Sequence, residues 1–230
     1  MRLLTLLLML LALGVAGCGD DDDDNGDSGS TTTTETQTQA EEEPPPQREG
    51  GCIEVSQPEP KRDGGEKRPS GPLTTDYEVT FETNCGSFTV AMDEEVGGLS
   101  AASFVQLADS GFYENTFFHR IAPGFVIQGG DPTGTGTGGP GYTTRDAPPQ
   151  GATYPKYTVA MAKGAAEPPG TSGSQFFVMT GDSGLPPDYA IVGEVTEGTR
   201  VVDRIGALGD ATEQPTRIVV VQKTSVSPPL

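Results

Sequence analysis

Apolar residues follow three different rhythms along this chain, and each rhythm predicts a different kind of segment. From Leu3 to Leu13 they are continuous except for Thr5. From Gly19 to about Pro72 neither a period of 2 nor one of 3.6 persists. Beyond Pro72 alternation begins: Tyr77, Val79 and Phe81, then Phe88, Val90 and Met92, occupy every second position on either side of Asn84-Cys85-Gly86. Side chains two apart on a strand share a face, so two such runs around a Gly-containing turn predict a β-hairpin. Helical spacing follows in Ala101, Phe104, Val105, Leu107 and Ala108, with Ser100 as the expected N-cap and Gly111 as the stop. Further strands are expected over residues 116–121, 125–128, 158–161, 175–179 and 190–195, then a short helix over 199–205 and a final strand over 217–224. Short strands joined by Gly- and Pro-rich turns, with two isolated helices, predict a mainly β fold, a closed barrel capped by helices. About 155 residues suffice for one such core.

The segments before the barrel carry their own signals. Arg2 followed by the apolar run reads as a secretory signal, too short to span a membrane as a permanent helix. It ends in Val15-Ala16-Gly17-Cys18, which resembles the lipobox of bacterial lipoproteins. That resemblance implies cleavage before Cys18, lipidation of its thiol, and a protein anchored in the membrane on the extracytoplasmic face of the cell envelope. Residues 1–17 are then a lipoprotein signal peptide, 18–72 a disordered acidic and Pro-rich tether, and 73–230 the folded domain. The tether holds Asp20 to Asp24, Thr31 to Thr34, Glu41 to Glu43 and Pro44 to Pro46. It has too little apolar surface to offset chain entropy, and its charge and Pro content extend it. The Asp run reads as a repelling coil rather than a calcium site.

Charge narrows the partners. Of 230 residues with a net charge of −19, residues 18–72 carry 15 acids against 5 bases, and residues 73–230 carry 18 against 8. Neither part offers the cationic surface that nucleic acid binding needs. The single histidine, His119, excludes any mechanism or zinc site built on two imidazoles, and no metal or cofactor is expected. With Cys18 lipidated, Cys52 and Cys85 remain as a pair, for which a disulfide is expected in an oxidising compartment, the alternative being two free thiols. The bond would close a loop of about 34 residues and contribute roughly 3–4 kcal/mol in the chain-entropy model.

Three motifs carry candidate chemistry. Gly134 to Gly139 satisfies G-x-G-x-x-G, but Pro140 and Gly141 follow where a phosphate-binding turn needs a helix, so it reads as a loop. Gly181-Asp182-Ser183-Gly184 resembles the nucleophile segment of chymotrypsin-like proteases, with His119 and Asp131 or Asp146 to complete a triad. Leu185-Pro186-Pro187 departs from that pattern, and the domain is small for two barrels. The third stretch, Phe117 to Asp131, sets Arg120 amid apolar residues, where an unpaired cation is expensive. On strands, Phe118 would share a face with Arg120, Val126 with Gln128, and Gln175 with Phe177. The constellation is one permanent cation, two amides and apolar side chains. A structural Arg paired to a core carboxylate would show the same spacing.

Phe118 to Asp131, together with Gly173-Ser174-Gln175-Phe176-Phe177, resembles the signature of the cyclophilin family of peptidyl-prolyl isomerases. Supporting matches are Gly111-Phe112-Tyr113, Val159 to Ala162 and Gly193 to Gly198, and the resemblance spans residues 76 to about 222. It implies an eight-stranded antiparallel barrel capped by two helices, with a substrate groove outside it. It implies isomerisation of X-Pro bonds without covalent chemistry or a cofactor. Arg120 becomes the catalytic cation. Phe125, Val126, Phe177 and Leu185 form the proline pocket, and Gln128 and Gln175 orient the peptide backbone. Ala162 and Lys163 border the groove, and Tyr189 closes one side. Lys163, Leu185, Tyr189 and Val126 depart from residues common in relatives, and the loop from Gly164 to Gly173 is longer than in compact members. The expected partners are proline-containing polypeptides, the protein itself being monomeric. The competing readings are a Pro-peptide binding module or holdase without turnover and, more remotely, a serine protease using Ser183.

Overall fold

The computed structural model describes residues 51–92 and 94–228; the expected signal peptide, Cys18 and the acidic coil before Gly51 lie outside the described residues. β1 (Tyr77–Thr83) and β2 (Gly86–Met92) form the predicted hairpin, with Thr83 opposite Gly86 and only Asn84 and Cys85 between them. Alternation is legible here because one face is buried: Val79, Phe81, Phe88, Val90 and Met92 are all at most 1% exposed. Phe81 lies opposite Phe88, and their rings stack at 5.2 Å. Such a pair adds about 0.5–1.5 kcal/mol beyond the area it buries.

The chain continues through α1 (Gly98–Asp109), β3 (Arg120–Ala122), β4 (Val126–Gly129), β5 (Thr144–Arg145) and β6 (Thr158–Met161). It ends with β7 (Thr171–Ser172), β8 (Phe176–Met179), β9 (Ile191–Glu197), α2 (Thr199–Gly206) and β10 (Val221–Ser227). Eight strands pair antiparallel in the order β10-β1-β2-β9-β6-β8-β4-β3, while β5 and β7 form a separate ribbon. The edges meet through the residues just before β3 and β10. Phe117 bridges Val220, the Phe118 N–H donates to the Val219 carbonyl, and the Val221 N–H donates to the Thr116 carbonyl. The sheet curls round to the expected barrel with this short seam in place of a full ladder. Inside, the rings of Phe81, Phe104, Tyr113, Phe118 and Phe176 interlock at 5.1 to 6.1 Å. The two helices add Phe104 and Leu107 from α1, and Val202 and Ile205 from α2, to this core.

Local expectations need correction at four points. Ser100 is not the N-cap: the helix starts at Gly98 behind Gly97, and Ser100 lies in its first turn. The Asp146 carboxylate, from a distant loop, accepts from the N–H groups of Leu99 (3.2 Å) and Ser100 (2.9 Å) and from the Ser100 hydroxyl (2.7 Å). A carboxylate there satisfies orphan donors and meets the positive end of the helix dipole. The strand expected over 116–121 is regular only from Arg120, and the final strand starts at Val221 rather than 217, because the preceding residues form the seam. Phe118 therefore does not share a face with Arg120; its ring is wholly buried in the inner core, whereas Arg120 is partly exposed on the outside.

Residues 51–72, expected as part of a solvated tether, carry no helix or strand but lie bonded to the domain. Cys52 and Cys85 form a disulfide, and Ile53 exchanges hydrogen bonds with Asn84, through its N–H to the Asn84 carbonyl and its carbonyl from the Asn84 amide. The Lys61 ammonium donates to the carbonyls of Phe112 (2.6 Å) and Glu114 (3.0 Å) at the end of α1, and burial holds its pKa below the usual lysine range. The disulfide is the one expected from the cysteine count, whereas composition registers missing apolar surface and not the backbone hydrogen bonds that hold the segment.

Candidate active site

Antiparallel register sets one residue from each of five strands in a row: Arg120 opposite Gln128, Gln128 opposite Phe177, Phe177 opposite Ala160, and Ala160 opposite Ile191. The adjacent row, Ile121, Ile127, Val178 and Val159, belongs to the inner core. Strand pleating sends alternate rows to opposite faces, so the first row lies on the outside of the barrel.

Around it is a second apolar cluster, separate from the core. Ala122, Val126, Tyr154, Ala160, Phe177 and Met179 are buried in it, and Phe125, Ala162, Leu185 and Tyr189 form its partly exposed rim. Every apolar residue assigned to the groove from sequence is thus gathered in one place. The Tyr189 ring meets Phe177 edge-on at 5.4 Å. Tyr154, not singled out from sequence, fixes this rim: its hydroxyl donates to the Tyr189 carbonyl (2.9 Å) and accepts from the Tyr189 N–H (3.0 Å). Its burial raises its pKa. Lys163 turns onto the same rim, its ammonium 5.5 Å from the Tyr189 ring and donating to the Glu167 carbonyl at 3.1 Å.

The polar residues line one edge of this floor in a chain of hydrogen bonds. Arg120 Nη1 donates to Gln128 Oε1 (3.2 Å), Gln128 Nε2 to Gln175 Oε1 (3.2 Å), and Gln175 Nε2 to the Gly138 carbonyl (3.0 Å). The guanidinium lies 5.7 Å over the Phe125 ring. Its Nε donates to Glu213 Oε2 at 2.7 Å, a partner that sequence reasoning missed. Glu213 sits at φ +63° and its carbonyl accepts from the Ile121 N–H, which clips its turn beside β3. The carboxylate is at the surface, so Arg120 is not a structural cation paired into the core. A hollow of about 370 Å³ opens beside the pair, lined by His119, Arg120, Gln128, Gly134, Thr135 and Glu213 among others.

The protease reading finds no assembly. Asp131 accepts from the Thr133 N–H (2.7 Å) and hydroxyl (2.8 Å) and from the Gly136 N–H, and Asp146 caps α1. Burial pushes the Asp131 pKa up, but bonds from Thr133, Gly138 and Gly136 outweigh it and leave it below the usual carboxylate range. Ser183 bridges Tyr154 through backbone, and no hydrogen bond joins it to His119 among the described residues. Burial holds the His119 pKa below its usual value against the pull of Asp131, with Arg120 adding to the depression. Its Nδ1 is buried without a partner among the described residues, so a proton there would be unpaired.

The site is thus an apolar floor on the outside of an antiparallel barrel, edged by a guanidinium and two amides. The family model for cyclophilin type peptidyl-prolyl cis-trans isomerase/CLD matches residues 78–226. The chain belongs to this family of enzymes. It is 39% identical to the probable peptidyl-prolyl cis-trans isomerase A of Mycobacterium leprae, over 65% of this chain and 91% of the relative. It is 37% identical to peptidyl-prolyl cis-trans isomerase CYP18-2 of Arabidopsis thaliana, over 65% of this chain and 93% of that one. Among solved structures, a Cryptosporidium parvum cyclophilin type peptidyl-prolyl cis-trans isomerase crystallised in the presence of the dipeptide Ala-Pro superposes with a TM-score of 0.59. It is 29% identical, over 66% of this chain and 99% of that one.

Proposed function

We propose that this protein isomerises X-Pro bonds of extracytoplasmic polypeptides, with Arg120 stabilising the twisted amide. Resonance opposes rotation about a peptide bond with a barrier of about 18–20 kcal/mol. In the twisted state the nitrogen regains a free lone pair and the carbonyl loses charge separation. An apolar pocket of Phe125, Val126, Phe177 and Leu185 favours that state over the planar amide. Arg120 donates to the lone pair, which exists only once resonance is lost, and such differential binding is what accelerates. An acceleration of about 10⁵ needs roughly 7 kcal/mol. One preorganised donor supplies about 3–4 kcal/mol, by analogy with an oxyanion-hole donor. The remainder comes from anchoring the proline and from Gln128 and Gln175 holding the backbone, with Ala162, Lys163 and Tyr189 bounding the groove.

The observation that supports this most is the placement of Arg120 at the edge of the apolar cluster. Nε and Nη1 are used by Glu213 and Gln128, while Nη2 has no protein partner among the described residues. A guanidinium has five N–H donors in a fixed fork, so orientation and catalysis can be divided between them. A protease-coupled cis/trans assay on an Ala-Pro peptide tests the reading. Catalysis is expected; peptide binding without turnover would make the chain a binding module or holdase.

The location rests on the apolar run and the Val15-Ala16-Gly17-Cys18 sequence, with the disulfide in keeping with an oxidising compartment. In this reading a lipid on Cys18 anchors the chain outside the cytoplasm, where it assists the folding of envelope proteins. Expression of Cys18→Ala in a bacterial host tests it: the wild type should partition with membranes and the variant should not.

A further inference from the structure

The wall of the groove next to Gln175 is a glycine-rich loop that is braced from outside by the N-terminal segment. From Asp131 to Pro140 the chain reaches the site twice. Gly134 and Gly136 line the hollow beside Arg120, and the Gly138 carbonyl accepts from the Gln175 amide. Gly134 and Gly136 stand at φ +70° and +85°, where glycine is permissive, and the Asp131 carboxylate ties this first half of the loop through Thr133 and Gly136.

Residues 61–66 brace the loop at Pro132 and along its second half, Gly139 and Pro140. The Lys61 N–H donates to the Pro132 carbonyl (2.8 Å), the Gly64 N–H to that of Gly139 (2.9 Å) and the Glu66 N–H to that of Pro140 (3.0 Å). Asp63 Oδ1 accepts from the Gly139 N–H at 2.8 Å. The contact is close: a Cβ placed on Gly141 would lie 2.9 Å from the Gly65 nitrogen. This strap is itself secured by the Cys52–Cys85 disulfide before it, by Lys61 on the carbonyls of Phe112 and Glu114, and by the Gln106 amide on the Lys67 carbonyl after it.

We propose that the strap belongs to the peptide-binding machinery, with Asp63 a positioning residue that holds Gly138 and Gly139 so that the Gln175 amide faces bound peptide. This rests on the peptide-binding role proposed for Gln175. From Asp63 to Gly139, then from Gly138 to Gln175, Gln128 and Arg120, the connections are peptide and hydrogen bonds without a gap. When the carboxylate is removed, the loop drifts, the Gln175 amide loses its acceptor, and peptide is held less tightly. Arg120 keeps its own partners, so the bound peptide still turns over.

The test uses the full chain, NMR titration with an Ala-Pro tetrapeptide, and exchange spectroscopy at saturation. Asp63→Ala should weaken binding about three- to tenfold, the value of one lost hydrogen bond, with the saturated rate held within about twofold. Asp63→Asn, whose amide oxygen accepts the same bond, should stay within about twofold of wild type. In a Gln175→Ala background, Asp63→Ala should add nothing further, because the residue it acts through is gone. Unchanged affinity in Asp63→Ala, or an undiminished extra loss in the double variant, overturns the proposal. So does a lowered melting temperature with equal loss in both backgrounds, which marks a merely structural strap. A wild type that binds the peptide without turning it over overturns the proposed catalysis instead, and the affinities still decide the role of Asp63.

Discussion

Arg120 Nε and Glu213 Oε2 meet at 2.7 Å, joining the first residue of β3 to a left-handed turn 93 positions later in the chain. The side chains are 34% and 46% exposed, so water screens the pair and its net worth is about 0–1 kcal/mol. Its consequence is directional. Taking Nε, it holds the guanidinium over the Phe125 ring and leaves Nη2 without a protein partner among the described residues.

Glu213→Ala should therefore lower kcat/KM about three- to tenfold while unfolding free energy changes by less than about 1 kcal/mol. Glu213→Gln should recover most of the rate, since its amide oxygen accepts the same bond. Urea unfolding beside the coupled assay separates the two effects; a large stability loss at constant rate would reverse this assignment.

Arg120→Ala should reduce the rate by roughly 10²–10³, and Arg120→Lys should restore only part of it, because an ammonium cannot hold Glu213 and Gln128 and still present a planar donor edge. Full activity in Arg120→Ala would show that the cation has no catalytic part.

The rate should be nearly flat between about pH 6 and 8, since the proposed step uses no acid–base pair and burial moves the pKa of the one imidazole, His119, below its usual value. A bell-shaped profile would point to an acid–base pair. Stability is different. The folded-state pKa of His119 is depressed, so its contribution is present above about pH 6.5 and lost as pH falls through the folded value. Asp131 is depressed too, and its contribution is lost at lower pH, below about 3.9. Melting temperature against pH, with NMR titration of the one imidazole, checks both signs.

Reduction of Cys52–Cys85, which are 33 positions apart, should cost roughly 3–4 kcal/mol of stability by freeing the unfolded chain. Urea midpoints with and without reductant measure it. No change in midpoint would show that the strap's hydrogen bonds suffice without the link.

Much of the fold was legible because period and position coincide. β1 and β2 bury one face each, so Val79, Phe81, Phe88 and Val90 announce the hairpin, and α1 shows its spacing in Phe104 and Leu107. Arg120, Gln128 and Gln175 stood out because polar groups amid apolar runs are costly without a purpose. Boundaries were less legible. Residues 116–119 look like strand by composition, yet they form the seam, and Ser100 looks like a cap where Asp146 does the work.

A chain's order of residues fixes which side chains can share a face of one strand or helix, because those periods are local and set by backbone geometry. That was enough for the hairpin, the helices and the strands of the barrel, while the groove residues were read from the resemblance to the cyclophilin signature. Glu213, Tyr154 and Asp63 carry no local period; each acquires its place through a hydrogen bond to a residue 93, 35 or 76 positions away. Such pairings exist only after sheet register and loop packing have brought distant backbone together, so folding in three dimensions decided them.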